Sequence, residues 1–108
     1  MKSSERINSR ATSLTRCLIL SLLIYFADGL QYRELKAALN ISDGKLISNL
    51  NQLEKFSYIK KSTIKFDNRK LTVYSITNIG TREMKKMTEW MGLMMQVVQS
   101  GEKFERGL

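Results

Sequence analysis

Histidine is absent from this 108-residue chain, and cysteine occurs once, at Cys17. Without an imidazole there is no His-based triad or imidazole general base. A lone thiol cannot build a Cys-rich zinc site. It also cannot form a disulfide within the chain, which points to a reducing cytoplasm. Five of the ten acidic residues, Asp28, Glu34, Asp43, Glu54 and Asp67, are scattered, without the pairing that carboxylate catalysis needs. No Gly-rich phosphate loop occurs. The expectation is a protein without catalytic activity, bound metal or cofactor.

A long hydrophobic run is missing too. The most apolar stretch, CLILSLLIYFA from Cys17 to Ala27, is 11 residues long and contains Ser21. It suits a buried core helix and is too short to span a bilayer. The polar region before it is long for a signal peptide, and FADGLQ is a poor cleavage site. An anchor formed by Leu18–Phe26 is the membrane reading that these features disfavour.

Positive charge is what the chain has in excess. Net charge is +8, with pI ≈ 9.8, which suits an anionic partner. Its distribution is uneven. Residues 60–70, KKSTIKFDNRK, carry five Lys/Arg against one Asp, and the arm MKSSERINSR is also basic. An apolar fraction of 43% is that of a globular protein rather than a disordered one.

Periodicity gives the order of elements. A first helix is expected over Thr12–Ala27, with Leu14, Leu18, Leu22 and Tyr25 on one stripe and Cys17, Leu20 and Ile24 widening it. Gly29 suits a left-handed stop. Leu30–Tyr32 reads as a very short strand. A second helix follows over Arg33–Leu39 with Leu35, Ala38 and Leu39 inward, and Asn40 sits where positive φ is needed. Ser42 is a suitable N-cap and Asp43 suits the dipole of a third helix ending near Lys55. SYIKKSTIKF and LTVYSIT then alternate as strands around Asp67-Asn68. Thr77 caps a fourth helix over Asn78–Gln99.

Two helices joined by a tight turn and followed by a hairpin make a helix-turn-helix with a wing. The polar face of the third helix is unusual for a helix built only for stability. With Leu46 inward, Gly44, Ser48, Asn51 and Lys55 point outward, while Lys45, Asn49 and Gln52 lie along one flank. Short and amide side chains there suit base edges in a major groove.

The segment YRELKAALNISDGKLISNLNQLEKFSYI, together with YSITNIG at Tyr74–Gly80, resembles the small winged-helix transcriptional regulators related to the MarR and ArsR groups. The resemblance covers Thr15–Met87. It implies duplex DNA binding as a homodimer, with the third helix in the major groove and the wing on the backbone or minor groove. Two departures stand out. Ser57 occupies a position that is usually Gly, and Thr81 intervenes before Arg82 where Arg usually follows Gly80 directly. The Cys and His clusters of ArsR-type metal sensing are absent.

The expected fold class is therefore α+β, mostly helical: a three-helix core, a two-stranded β-wing and a long C-terminal dimerisation helix. Residues 1–11 are a basic arm, 12–77 the DNA-binding domain, 78–100 the dimerisation helix and 101–108 a frayed tail. DNA-contact candidates on the third helix are Ser42, Gly44, Lys45, Ser48, Asn49, Asn51, Gln52 and Lys55. Ser42 and Gly44 lie where free N–H groups favour a phosphate. In the wing they are Lys65, Asn68, Arg69 and Lys70, with Arg69 placed for a minor groove. Lys60 and Lys61 alternate to opposite faces.

The dimer candidates are Met84, Met87, Met91, Met94 and Val98, a heptad seam, with Trp90, Leu93 and Val97 beside it. The first helix is expected to help. A small hydrophobic effector between Met-rich helices is conceivable, but nothing demands one. Cys17, on an apolar helix, reads as an inert core thiol. The functional expectation is a cytoplasmic, nucleoid-associated homodimer that binds specific double-stranded DNA and regulates transcription. An architectural DNA-binding protein and a winged-helix protein-interaction domain are the alternatives.

Overall fold

The computed structural model describes residues 14–107, with side chains described for 14–101. The basic arm and Thr12 lie outside the described residues. Four helices and one hairpin follow in chain order: α1 (Leu14–Tyr25), α2 (Tyr32–Leu39), α3 (Asp43–Lys55), β1 (Ile59–Phe66), β2 (Arg69–Ile76) and α4 (Asn78–Gly107).

The core forms where these elements meet. Ile19, Leu20 and Leu23 of α1 are fully buried with Leu35 of α2 and Leu46, Leu50 and Leu53 of α3. Ile59 closes the base of the wing, and Met84 and Met87 of α4 complete the cluster. Fully burying such side chains contributes roughly 1.5–3 kcal/mol each, which outweighs the indifferent helix propensity of α3.

The buried face of α1 is not the one its periodicity suggested. Leu14, Leu18 and Tyr25 of the expected stripe are 75%, 46% and 81% exposed, and Leu22 is only half-buried. A helix apolar on nearly every side does not reveal from its own sequence which face its domain will cover. Ala38, expected inward, is exposed, because only Leu35 of α2 is fully buried and Leu39 only partly so.

Local signals explain the junctions. Asn40 has φ 52° and sends its N–H to the Lys36 carbonyl at 2.9 Å, which ends α2. The Ser42 hydroxyl accepts the Lys45 N–H at 3.2 Å to open α3. Two contacts tie the helix-turn-helix together from outside: the Tyr32 hydroxyl donates to Asp43 Oδ1, and Lys36 Nζ lies 2.9 Å from the same oxygen.

At the other end of α3, Ser57 takes φ 63°. Its N–H bonds the Glu54 carbonyl at 3.0 Å and the Tyr58 N–H bonds Leu53 at 2.9 Å. These are the two bonds of a Schellman stop. The turn that usually carries Gly is thus kept with Ser in the left-handed region.

The hairpin is antiparallel with Phe66 opposite Arg69, Lys65 opposite Lys70 and Ile64 opposite Leu71. Asp67 and Asn68 at its tip have φ 54° and 60°, the two positive values of a type I′ turn. The expected short strand at Leu30–Tyr32 reduces to one residue: Leu30 exchanges two backbone bonds with Tyr74, of 3.0 and 2.8 Å, while Tyr32 already begins α2.

Thr77 joins the wing to α4. Its N–H bonds the Tyr58 carbonyl at 2.9 Å, and its hydroxyl accepts the Gly80 N–H at 3.0 Å. The helix then continues past Gln99, where the sequence reading ended it, to Gly107. Residues 100–107 contain no proline, and Glu102, Lys103, Glu105 and Arg106 favour helix whereas Gly101 and Gly107 do not. A helix of this length, roughly 45 Å at 1.5 Å per residue, projects well beyond the core. Among the described residues, no helix is long and apolar enough to cross a membrane.

Candidate nucleic-acid interface

Helix α3 presents a polar face away from the core. Ser42, Gly44, Lys45, Ser48, Asn51 and Lys55 are exposed, whereas Asn49 and Gln52 are half-buried on its flank. An added Cβ at Gly44 would meet nothing within 4 Å, so the backbone at this helix N-terminus is open to a close approach.

Asn49 is already engaged. Its Oδ1 accepts a hydrogen bond from Arg16 Nε at 2.9 Å, and its Nδ2 donates to the Lys45 carbonyl at 2.8 Å. The amide is therefore locked in one orientation and holds the guanidinium of α1 beside α3. Arg16 was not among the sequence candidates. It lies 33 residues away along the chain, and only the packing of α1 on α3 brings the two together. Ile47 was missed as well. It is 47% exposed next to Ser48, on a helix whose other aliphatic residues are the buried Leu46, Leu50 and Leu53.

The wing carries the second cluster. Lys65, Asn68, Arg69 and Lys70 are all exposed. Lys65 and Lys70 are directly opposed across the hairpin, where Cβ atoms lie roughly 5 Å apart and like charges destabilise the pair. Lys61 has a partner within the fold, its ammonium standing over the Tyr74 ring at 5.6 Å from the centroid. Lys60 is exposed on the opposite face, opposite Ser75.

Electrostatics of the helix-turn-helix are set at its outer edge. The hydrogen bond to Asp43 pushes the Tyr32 phenol up to about 12. In turn that bond, with help from Lys36, holds the Asp43 carboxyl below its ordinary value. At neutral pH the pair is thus a neutral phenol donating to a carboxylate. Burial pushes the Cys17 thiol up, which disfavours its thiolate form.

The candidate dimer residues divide into two groups. Met84 and Met87 are 5% and 8% exposed and belong to the domain's own core, because the first turns of α4 pack against α1. Trp90 is half-buried. Met91, Leu93, Met94, Val97 and Val98 are exposed, as is Met95, which lies on no expected stripe.

A tight-turned helix pair with a polar, outward third helix and a basic hairpin beside it defines a winged helix-turn-helix. The family model described as "winged helix DNA-binding domain" matches residues 15–95, and the chain belongs to that family. No curated protein matches the sequence at a significant level.

Solved structures share the fold. A transcriptional regulator of the MarR family from Enterococcus faecalis superposes with TM-score 0.78 at 16% identity, over 94% of this chain and 91% of its own. A transcriptional regulator homologue from Pyrococcus horikoshii gives TM-score 0.73 at 21% identity, over 91% and 98% of the two chains. A MepR variant from Staphylococcus aureus bound to an oligodeoxyribonucleotide gives 0.71 at 19% identity, over 92% and 72%.

Proposed function

We propose that this protein is a transcriptional regulator that binds specific double-stranded DNA as a homodimer. The observation that carries this reading is the Lys65–Lys70 pair. The hairpin sets two like charges against each other at its end, with Arg69 next to them, and Asp67 in the tip turn is the one acidic residue of the hairpin, against five Lys/Arg. Such a pair weakens an isolated hairpin and becomes favourable against a row of phosphates.

In this reading α3 enters the major groove. Ser48 and Asn51 meet base edges, Lys45, Gln52 and Lys55 meet edges or backbone, and Ile47 supplies apolar contact for a thymine methyl. Ser42 and Gly44 offer backbone N–H groups to a phosphate. Asn49 acts through Arg16, holding its guanidinium at the flank of the helix. Arg69 and Asn68 reach the minor groove while Lys65 and Lys70 take the backbone.

The apolar surface supports the homodimer. From Trp90 to Val98 nearly every residue of α4 is apolar, and Leu93, Val97 and Val98 are 53%, 69% and 58% exposed. Leu14, Leu18 and Tyr25 of α1 add a second uncovered apolar strip. A helical stretch apolar on nearly all sides belongs in an interior, and a two-fold arrangement of α4 with α1 supplies one. Two copies of α3 would then enter successive major grooves roughly 34 Å apart.

Selection of duplexes from a genomic pool, followed by footprinting, tests this reading. The expected result is a pseudo-palindromic site with two protected major-groove segments about one helical turn apart. Binding without sequence preference would replace the regulator by an architectural protein. No binding at low salt would leave a protein-interaction domain.

A further inference from the structure

The register of the wing places one aromatic side chain at its tip. Phe66 closes the hairpin opposite Arg69, and Ile64 opposite Leu71 continues the same face. Phe66 is 66% exposed and Ile64 40%. Lys65 and Lys70, one residue along on each strand, point to the other face. The tip is therefore two-sided, with a lysine pair on one side and a phenyl ring beside an arginine on the other.

We infer that Phe66 is a specificity residue that reads A·T against G·C pairs where the wing meets the minor groove. The inference rests on the DNA-binding reading above and adds a readout to it. The occupant of this apolar tip is fixed by its charge neighbours. Arg69 shares its face and two lysines back it, so the anion that draws them in presents the ring with sugar and base edges rather than with a protein surface.

A minor groove is about 6 Å wide. A hairpin is too thick to enter it whole, so only side chains of the tip enter while its two faces turn towards the two walls. The lysine pair meets phosphates along one wall, and the ring is pressed towards the groove floor and the C–H edges of the deoxyriboses on the other. The floor of an A·T pair carries only acceptors, which Arg69 can satisfy. A G·C pair adds the guanine 2-amino donor. A phenyl ring over that donor blocks its hydration and offers no acceptor, and a polar group left unpaired in this way is costly. The expected discrimination is about tenfold in Kd for each wing site.

The test uses the full chain and the duplex recovered in the selection above. The wing-facing pairs are those whose hydroxyl-radical protection is lost in R69A. Three versions of the duplex carry A·T, G·C or inosine·C at those pairs; inosine lacks the 2-amino group. The wild-type protein should bind the A·T and inosine duplexes about equally and the G·C duplex roughly tenfold more weakly per site. F66A should bind all three alike, with an unchanged dependence on salt because the wing cations remain, while F66L keeps the preference.

An F66A protein that still prefers A·T would overturn the inference and leave Arg69 as the sole reader. A preference lost together with the salt dependence would also overturn it, assigning Phe66 to the packing of the wing. Failure of the wild type to bind any duplex would instead strike at the DNA-binding reading itself.

Discussion

Replacing Gly80 with Ala tests how the wing is fastened to the rest of the fold. Gly80 lies in the first turn of α4, where a Cβ would sit 2.1 Å from the Tyr58 carbonyl oxygen and 2.8 Å from Ile76 Cγ1. Carbon–oxygen contacts need a little over 3 Å, so α4 or the base of the wing has to move by roughly 1 Å. Neither is a flexible side-chain end. That movement pulls on the Thr77 N–H bond to Tyr58 and on the Thr77 cap of the Gly80 N–H, of 2.9 and 3.0 Å.

Overpacking costs about 1–3 kcal/mol, a lost cap about 1 kcal/mol and a weakened backbone bond up to about 1 kcal/mol. The better helix propensity of Ala returns at most about 1 kcal/mol. The net loss should be about 3 kcal/mol, or roughly 12–24 °C in Tm for a domain of this size. Urea unfolding of both proteins at one fixed concentration measures it, since an oligomer's stability depends on concentration. A loss below about 1 kcal/mol would show that the junction yields easily and would refute the reasoning from close approach.

Other substitutions probe the remaining parts. Ser57→Gly should stabilise the protein by about 0.5–1 kcal/mol, because a left-handed non-Gly residue costs roughly 1–2 kcal/mol and glycine's extra freedom when unfolded returns part of that; a lower Tm would contradict the Schellman reading. In a phenolate absorbance titration one tyrosine, Tyr32, should ionise near pH 12 and return towards the ordinary value of 10.0 in Asp43→Asn. Because its pKa is raised on folding, its contribution to stability is complete below pH 10.0 and is lost as pH rises through about 12. The contribution of Asp43, whose pKa is lowered, is present above its ordinary 3.8 and is lost as pH falls through the lower folded value. In the proposed homodimer, changing Leu93 and Val97 together to Glu should raise the dissociation constant more than about a hundredfold, read by sedimentation, since each loses roughly 1.5–3 kcal/mol of burial; an unchanged association would refute an interface on this face of α4.

Local signals carried much of this architecture. Asn40, Ser42, Asp67-Asn68 and Thr77 each stand at a junction where backbone geometry restricts the residue type, and each performs there as its chemistry suggests. Orientation was harder to read. Helix α1 is apolar on nearly all sides, and only its packing decides that Ile19, Leu20 and Leu23 go inward while Leu14, Leu18 and Tyr25 stay out. The methionine stripe of α4 looks continuous in sequence, yet the domain takes Met84 and Met87 and leaves the rest. Arg16 and Asn49 meet across two helices, and no spacing along the chain announces such a contact. The tip of the wing lay between these cases: its cations were legible from composition, whereas the pairing of Phe66 with Arg69 needed the register.

The central claim is that basic residues of the wing neutralise DNA phosphates. Measuring the affinity of the selected duplex across a range of salt concentrations, for the wild type and for Lys65→Gln, Arg69→Gln, Lys70→Gln combined, tests it most directly. Each phosphate contact contributes about 0.9 to the slope of log K against log salt. Removing the two backbone-contacting lysines from each of two protomers should therefore flatten the slope by about 4, to which the loss of the Arg69 charge in the groove adds, with the fold intact because all three side chains are exposed. An unchanged slope would contradict the account, placing the wing away from the duplex.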